Sequence, residues 1–280
     1  MKTRLRPVPC HRFLATVAVT GLLLVGCEAT TDSPASTARP TGPVRTSAGT
    51  ASPTPGSTAG PTGPAVAPST PPAAEPALGP GLQPLWPFTT LEQARAWQRS
   101  HREGGHQPWH LDADQTALAF VQGYLGFREM DRISSHSVSG RHARIGVGLG
   151  NPQEARRGTA AVLHLVRYGT EPDAPWEVVG TDDTTFSLTA PAYGSPARTP
   201  LAVGGRITGV DESISVQVRE PSSPLPLGTA CCTSAGGEHT PWTSTVSYTH
   251  PTDPVLTVVA ATGGHLAEVE RFTVTAVRTR

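Results

Sequence analysis

Between Glu28 and Pro84 the chain carries 13 prolines and 16 serines or threonines, with five charges, no aromatic residue and few branched aliphatics. Such a stretch has too little apolar surface to offset the entropy of ordering it, so no packed core includes it. Residues 27–84 therefore read as a disordered Pro/Ser/Thr/Ala/Gly-rich linker, mixing flexible and polyproline-like segments. At about 5–6 Å × √n, a coil of this length reaches roughly 40 Å. The first aromatics after Phe13 are Trp86 and Phe88, so folded structure is expected from residue 85 onward.

Upstream of the linker, residues 1–26 have the layout of a secretory signal. Lys2, Arg4, Arg6 and Arg12 precede the apolar run "FLATVAVTGLLLVG", which is too short for a membrane span of roughly 20 apolar residues. That run ends in Leu24-Val25-Gly26-Cys27, which resembles the lipobox of bacterial lipoproteins. The resemblance implies diacylation of Cys27, palmitate among the acyl groups, and a cell-membrane anchor facing the extracytoplasmic side. The alternative is an ordinary signal peptide that happens to contain a cysteine.

Removal of residues 1–26 takes away four basic residues and no acidic one, leaving 18 basic against 22 acidic, a net charge of −4. That balance gives no footprint for nucleic acid. Every remaining basic residue is arginine, because Lys2 is the only lysine. Lysine-based Schiff-base or general-base chemistry is thereby excluded. The Arg/Ala/Gly/Pro bias fits a GC-rich genome of the actinobacterial kind.

Residues 85–183 read as a small α+β domain. "TTLEQARAWQRSHREGG" places Thr90 three residues before Gln93, a capping-box spacing, with Gly104 as a stop. In "DADQTALAFVQGYLGF", Ala117, Leu118, Val121, Tyr124 and Leu125 recur at helical spacing. Strand-like runs follow in "RHARIGVGLG", "TAAVLHLVRYG" and "PWEVVGTDDTTFSL". Two helices and then antiparallel strands predict helices on one face of a sheet. The order is similar to that of cone-shaped sheet domains of the cystatin type.

Residues 184–280 read as all strand and turn, in short segments at the spacing of a β-sandwich. Ile214, Val216 and Val218 alternate, as do Phe272, Val274 and Ala276, and either set would cover one inner sheet face. The run "PAYGSPARTPLAVGGRITGVDESISVQVRE", then "TPWTSTVSYTHPTDPVLTVVAATGG" and "VERFTVTAV", resembles the immunoglobulin-like domain associated with bacterial spore-germination and cell-surface proteins. The correspondence rests on Pro191, Pro200 through Gly205, Glu212, the Ile214–Val218 strand and Trp242, and it covers about a third of the chain. It implies a surface or interaction module with no catalytic residues to carry over. The fold expected overall is an α+β domain followed by an all-β immunoglobulin-like sandwich, after a disordered linker.

Candidate chemistry is sparse. Cys231 and Cys232 are adjacent in "GTACCTSAGGEHTPW", a Gly/Ser/Thr-rich run that reads as a loop. With Cys10 in the signal and Cys27 carrying lipid, they either form a vicinal disulfide, stay free or bond a second molecule. His106 and His110 stand four apart, a metal spacing only on a helix, and Pro108 between them argues for a loop. No metal site and no cofactor are expected. His106, Trp109, His110 and His164 are the candidates for lining a pocket in the 85–183 domain. No nucleophile elbow, P-loop, dinucleotide glycine pattern, HExxH or CxxC occurs. The reading is a non-enzymatic binding or envelope-assembly module whose partner is an envelope protein or polymer. Its rival is a ligand- or glycan-binding protein, or an enzyme, using that pocket.

Overall fold

A computed structural model describes residues 77–150, 158–265 and 267–279; residues 1–26, Cys27 and most of the linker lie outside this range. Antiparallel strands dominate the described chain, and helices are few.

Among the described residues, packing already includes Leu78, inside the stretch whose composition reads as linker: Leu78 is 6% exposed and packs with Phe88, Ala94, Trp97, Val166, Tyr168 and Val179. Helix α1 spans Leu91–Gly104. The Thr90 hydroxyl accepts from the Gln93 amide at 3.2 Å, and Gly105 closes the helix at φ 68°, donating to the His101 carbonyl. Side-chain capping and a left-handed glycine satisfy groups that helix ends leave open.

A 3-10 turn at Pro108–Leu111 leads into α2, Ala113–Leu118, capped by Asp112 on the Gln115 amide. The helix then widens into a π-helical turn over Ala119–Tyr124, where the Leu125 amide donates to the Phe120 carbonyl. Phe120, Val121 and Tyr124 are all buried there.

Four strands form an antiparallel meander: β1 Arg132–Ser139, β2 His142–Gly148, β3 Ala161–Arg167 and β4 Trp176–Asp182. β1 has no apolar alternation and is largely exposed, which is why "RISSHSVS" gives no strand signal. The outer edge of β4 is covered by the chain before α1. The Leu85 amide donates to the Val178 carbonyl, and the Val178 amide donates to the Trp86 carbonyl.

The second sheet has the order β5-β9-β8-β6-β7, with β5 Ser195–Pro196, β6 Leu201–Arg219, β7 Gly228–Val246, β8 Val255–Thr262 and β9 Arg271–Arg278. β6 and β7 form a hairpin of 19-residue strands. Along its first half β6 bonds the segment 185–190 on the side away from β7, with the Ser187 amide on the Arg206 carbonyl and the Thr208 amide on the Thr185 carbonyl. Along its second half that same side pairs with β8. The change of partner falls at the register shifts between Ile207 and Glu212, where Asp211 has φ 54°. Gly205 is required by the close approach, because a Cβ there would lie 1.9 Å from the Ser187 carbonyl oxygen. Phe186, Leu188, Val203 and Ile207 from one half meet Ile214, Val216, Val218, Leu256 and Val258 in one apolar cluster.

β8 is buried along its whole length. Leu256, Val258 and Ala260 enter the cluster just described. Val255, Val259 and Ala261 enter a second cluster with Ala117, Phe120, Ile145, Leu163 and Val178. Phe272, Val274 and Ala276 join that second cluster. They therefore cover the face toward α2 and the first sheet, opposite the face lined by Ile214, Val216 and Val218. The regions 85–183 and 184–280 thus share one core. Arg219 ties them further: its Nη2 donates to the Tyr124 carbonyl at 2.5 Å, and its guanidinium lies 5.0 Å from the Tyr124 ring centroid.

Candidate functional site

Cys231 and Cys232 are not in a loop. They lie in β7, and their sulfurs are bonded to each other. Ile214 faces Thr233 and Val216 faces Ala230, so Ser215 alone stands opposite both cysteines, a two-against-one β-bulge. The run carries no strand signal because β7 is the sheet's outer strand and its side chains are mostly exposed, so no apolar alternation marks it. The strand forms because the facing amides and carbonyls of β6 need partners. Both cysteines are exposed, and as a disulfide they offer no thiolate.

Of the four pocket candidates, three belong to one short segment and the fourth lies elsewhere. His106 is exposed, and its carbonyl is 3.0 Å from His101 Nδ1. Trp109 stacks on Trp86, centroids 5.5 Å apart, and Trp86 stacks on Tyr124. His110 is 3% exposed and ringed by Phe88, Trp97 and Trp109 at centroid distances of 5.1, 4.9 and 3.6 Å. Its Nε2 lies 3.2 Å from Gln107 Oε1, and its buried Nδ1 has no hydrogen-bond partner. Burial, reinforced by the charge on His101, pulls the His110 pKa down to about 4. These rings pack directly against one another. His164 lines a separate cleft of about 250 Å³ with Leu82, Val179, Thr181, Tyr193 and Thr275, and His106, Trp109 and His110 do not reach it.

Two arrangements stand out, built on His142 and Glu177, neither of which the sequence singles out. His164 Nε2 is 3.0 Å from Nδ1 of His142 on the neighbouring strand β2, with the rings 5.3 Å apart and 28° from parallel. In the strand register Arg144 faces His164 and His142 faces Val166, so the two histidines are diagonal neighbours. On its other side His164 faces Gly180, and the register slips between His164 and Leu165, a β-bulge. Arg144 Nε binds Asp182 Oδ2 at 2.6 Å nearby. Burial, with help from Arg144 and His142, lowers the His164 pKa to about 4. Only the strand register could have revealed this pair, since 22 residues separate its members.

Glu177 in β4 is 0% exposed. Its Oε2 accepts from the Phe88 amide at 3.1 Å, and Oε1 has no hydrogen-bond partner. Burial drives its pKa well above the ordinary carboxylate range, with the backbone hydrogen bonds opposing that shift only in part.

Among the described residues, no three metal-ligating side chains converge, and no helix is long and apolar enough to cross a membrane. No protein-family model, curated protein or solved structure matches this chain.

Proposed function

We propose that this chain is a lipoprotein anchored through Cys27 to the extracytoplasmic face of a bacterial cell membrane. Its ordered part binds an envelope protein or polymer without catalysing a reaction. The observation that carries the reading is the order of segments along the chain. A basic segment, an apolar run and Leu24-Val25-Gly26-Cys27 come first, then a stretch too rich in proline, serine and threonine to pack, and then a β-rich body. A flexible coil of that length has a root-mean-square reach of roughly 40 Å, at about 5–6 Å × √n, which suits a tether.

Residues 184–280 are, in the same proposal, an immunoglobulin-like sandwich that supplies the interaction module. Three features support it: the partner change halfway along β6, the apolar cluster contributed by both halves of that strand, and the burial of Trp242 against Phe186 with its indole donating to the Ser187 carbonyl. A strand that passes from one layer to another through a bulge is a device of packed β-sheets.

The test is Cys27→Ala in the source cell, followed by fractionation and palmitate labelling. The wild type is expected in the membrane fraction carrying label, and the variant unlabelled in the medium. Membrane retention of the variant would overturn the anchor. The binding half is tested by incubating the soluble variant with detergent-solubilised envelope: enrichment of a defined protein or polymer supports it, and no enrichment overturns it.

A further inference from the structure

We propose that His142 and His164 form a two-imidazole site for a divalent transition-metal ion on the first sheet. The facing nitrogens, Nδ1 of His142 and Nε2 of His164, are 3.0 Å apart. Two imidazoles bound at 2.0–2.1 Å have nitrogens about 2.9 Å apart at a right angle and about 3.3 Å apart at a tetrahedral angle. The observed separation lies between these values, so the spacing of the two donors already suits one shared ion.

The strands fix this approach. β2 and β3 are interior strands of the meander, hydrogen-bonded on both sides, and the pair bridges their ladder diagonally. On the β4 side His164 faces Gly180, which carries no side chain of its own, and the register slips just after it; the Tyr193 ring borders this position. The Asp182 carboxylate sits against Arg144, offsetting the arginine charge closest to the site.

The tautomers also suit an ion. In the hydrogen-bonded pair one facing nitrogen carries a hydrogen and the other a lone pair. Metal binding needs two lone pairs, so one ring shifts its hydrogen to its other nitrogen, and no proton leaves the site. Imidazole donors and an incomplete protein shell suit Ni2+, Cu2+ or Zn2+ and disfavour Mg2+ and Ca2+.

The experiment uses the full chain in detergent and Ni2+ alone, titrated by calorimetry, with histidine-ring NMR to show which rings the paramagnetic ion broadens. One equivalent is expected to bind, broadening His142 and His164 first. His142→Ala and His164→Ala should each weaken it by at least about 100-fold, the upper range reported for losing even an outer-shell partner. His239→Ala, at an exposed position of β7, should leave it unchanged. His142 is exposed, so its replacement keeps the test available if His164→Ala fails to fold. Tight Ni2+ binding that survives either substitution, or first broadening at His101, His106 or His110, would overturn the proposal. So would the absence of any tight site in the wild type. The result is independent of anchoring, because the variants and the wild type share the same N-terminus.

Discussion

Phe272→Ala tests whether the two halves of the ordered chain stand or fall together. Phe272 is in β9, is 1% exposed and meets Phe127 edge-on with ring centroids 5.4 Å apart. Its cluster also holds Ile145, Leu163 and Val178 from the first sheet. Truncating a buried phenylalanine costs about 3–5 kcal/mol, transfer and cavity together. Because Phe127 loses an aromatic partner as well, the value should fall near about 4 kcal/mol. For a folded body of this size each kcal/mol moves Tm by about 2–4 °C, so a drop of about 8–16 °C is expected. The assay is thermal and urea unfolding, followed by amide hydrogen exchange at β2 and β3 and separately at β6 and β8. A shared core predicts that protection falls by the same free energy in both sets, although the substitution lies in the second half of the chain. If β6 and β8 lose protection while β2 and β3 keep theirs, the regions 85–183 and 184–280 are independent domains and the reasoning fails.

Two further outcomes are expected. Above the ordinary glutamate pKa the unfolded chain ionises Glu177 while the fold keeps it neutral, so stability falls with rising pH by up to about 1.4 kcal/mol per unit. His110, lowered to about 4, works in the other direction: below about pH 6.5 the unfolded chain takes a proton that the fold refuses, so stability is lost as pH falls from about 6.5 to 4. Urea titrations should therefore show a falling alkaline limb that Glu177→Gln removes and an acid limb that His110→Gln flattens; curves parallel to the wild type in both variants would refute these assignments. The Cys231–Cys232 bond predicts no iodoacetamide adduct at either residue when the protein is unfolded without reductant, and peptide mapping that finds both alkylated would refute it.

What the sequence alone conveyed depended on how far apart the interacting residues lie. Thr90, Gln93 and Gly104–Gly105 specify the ends of α1 through bonds spanning three or four residues, so local chemistry suffices. The same holds for the alternation of Ile214, Val216 and Val218. β8 is different: "VLTVVAAT" has no polar face because both of its faces are covered, and no local rule says by what. The partner on one side of β8 includes α2, more than a hundred residues earlier, so the shared core was invisible and the composition change near residue 184 read as a domain boundary.

The candidate site shows the same limit more sharply. His164 is grouped with His106, Trp109 and His110 in the sequence reading because all four lie in one predicted domain and could line a cavity there. Proximity along the chain is a poor guide in a meander, where lateral neighbours are set by register. A shift of one residue between β2 and β3 would send either His142 or His164 to the buried face. The observed register is held by Ala143, Ile145 and Val147 against Leu163 and Leu165, all of which must face the core. The apolar pattern that was readable on each strand therefore also determines which polar residues meet on the opposite face. Any reading of "RHARIGVGLG" beside "TAAVLHLVRYG" that pairs their apolar positions brings the histidines to the same side. What it lacks is the offset along the strands, which turn length and the masking of β1 by polar residues leave open. The histidine pair thus follows from packing of the face behind it, and changes to Ile145 or Leu163 that shift this register should disrupt it without touching either ring.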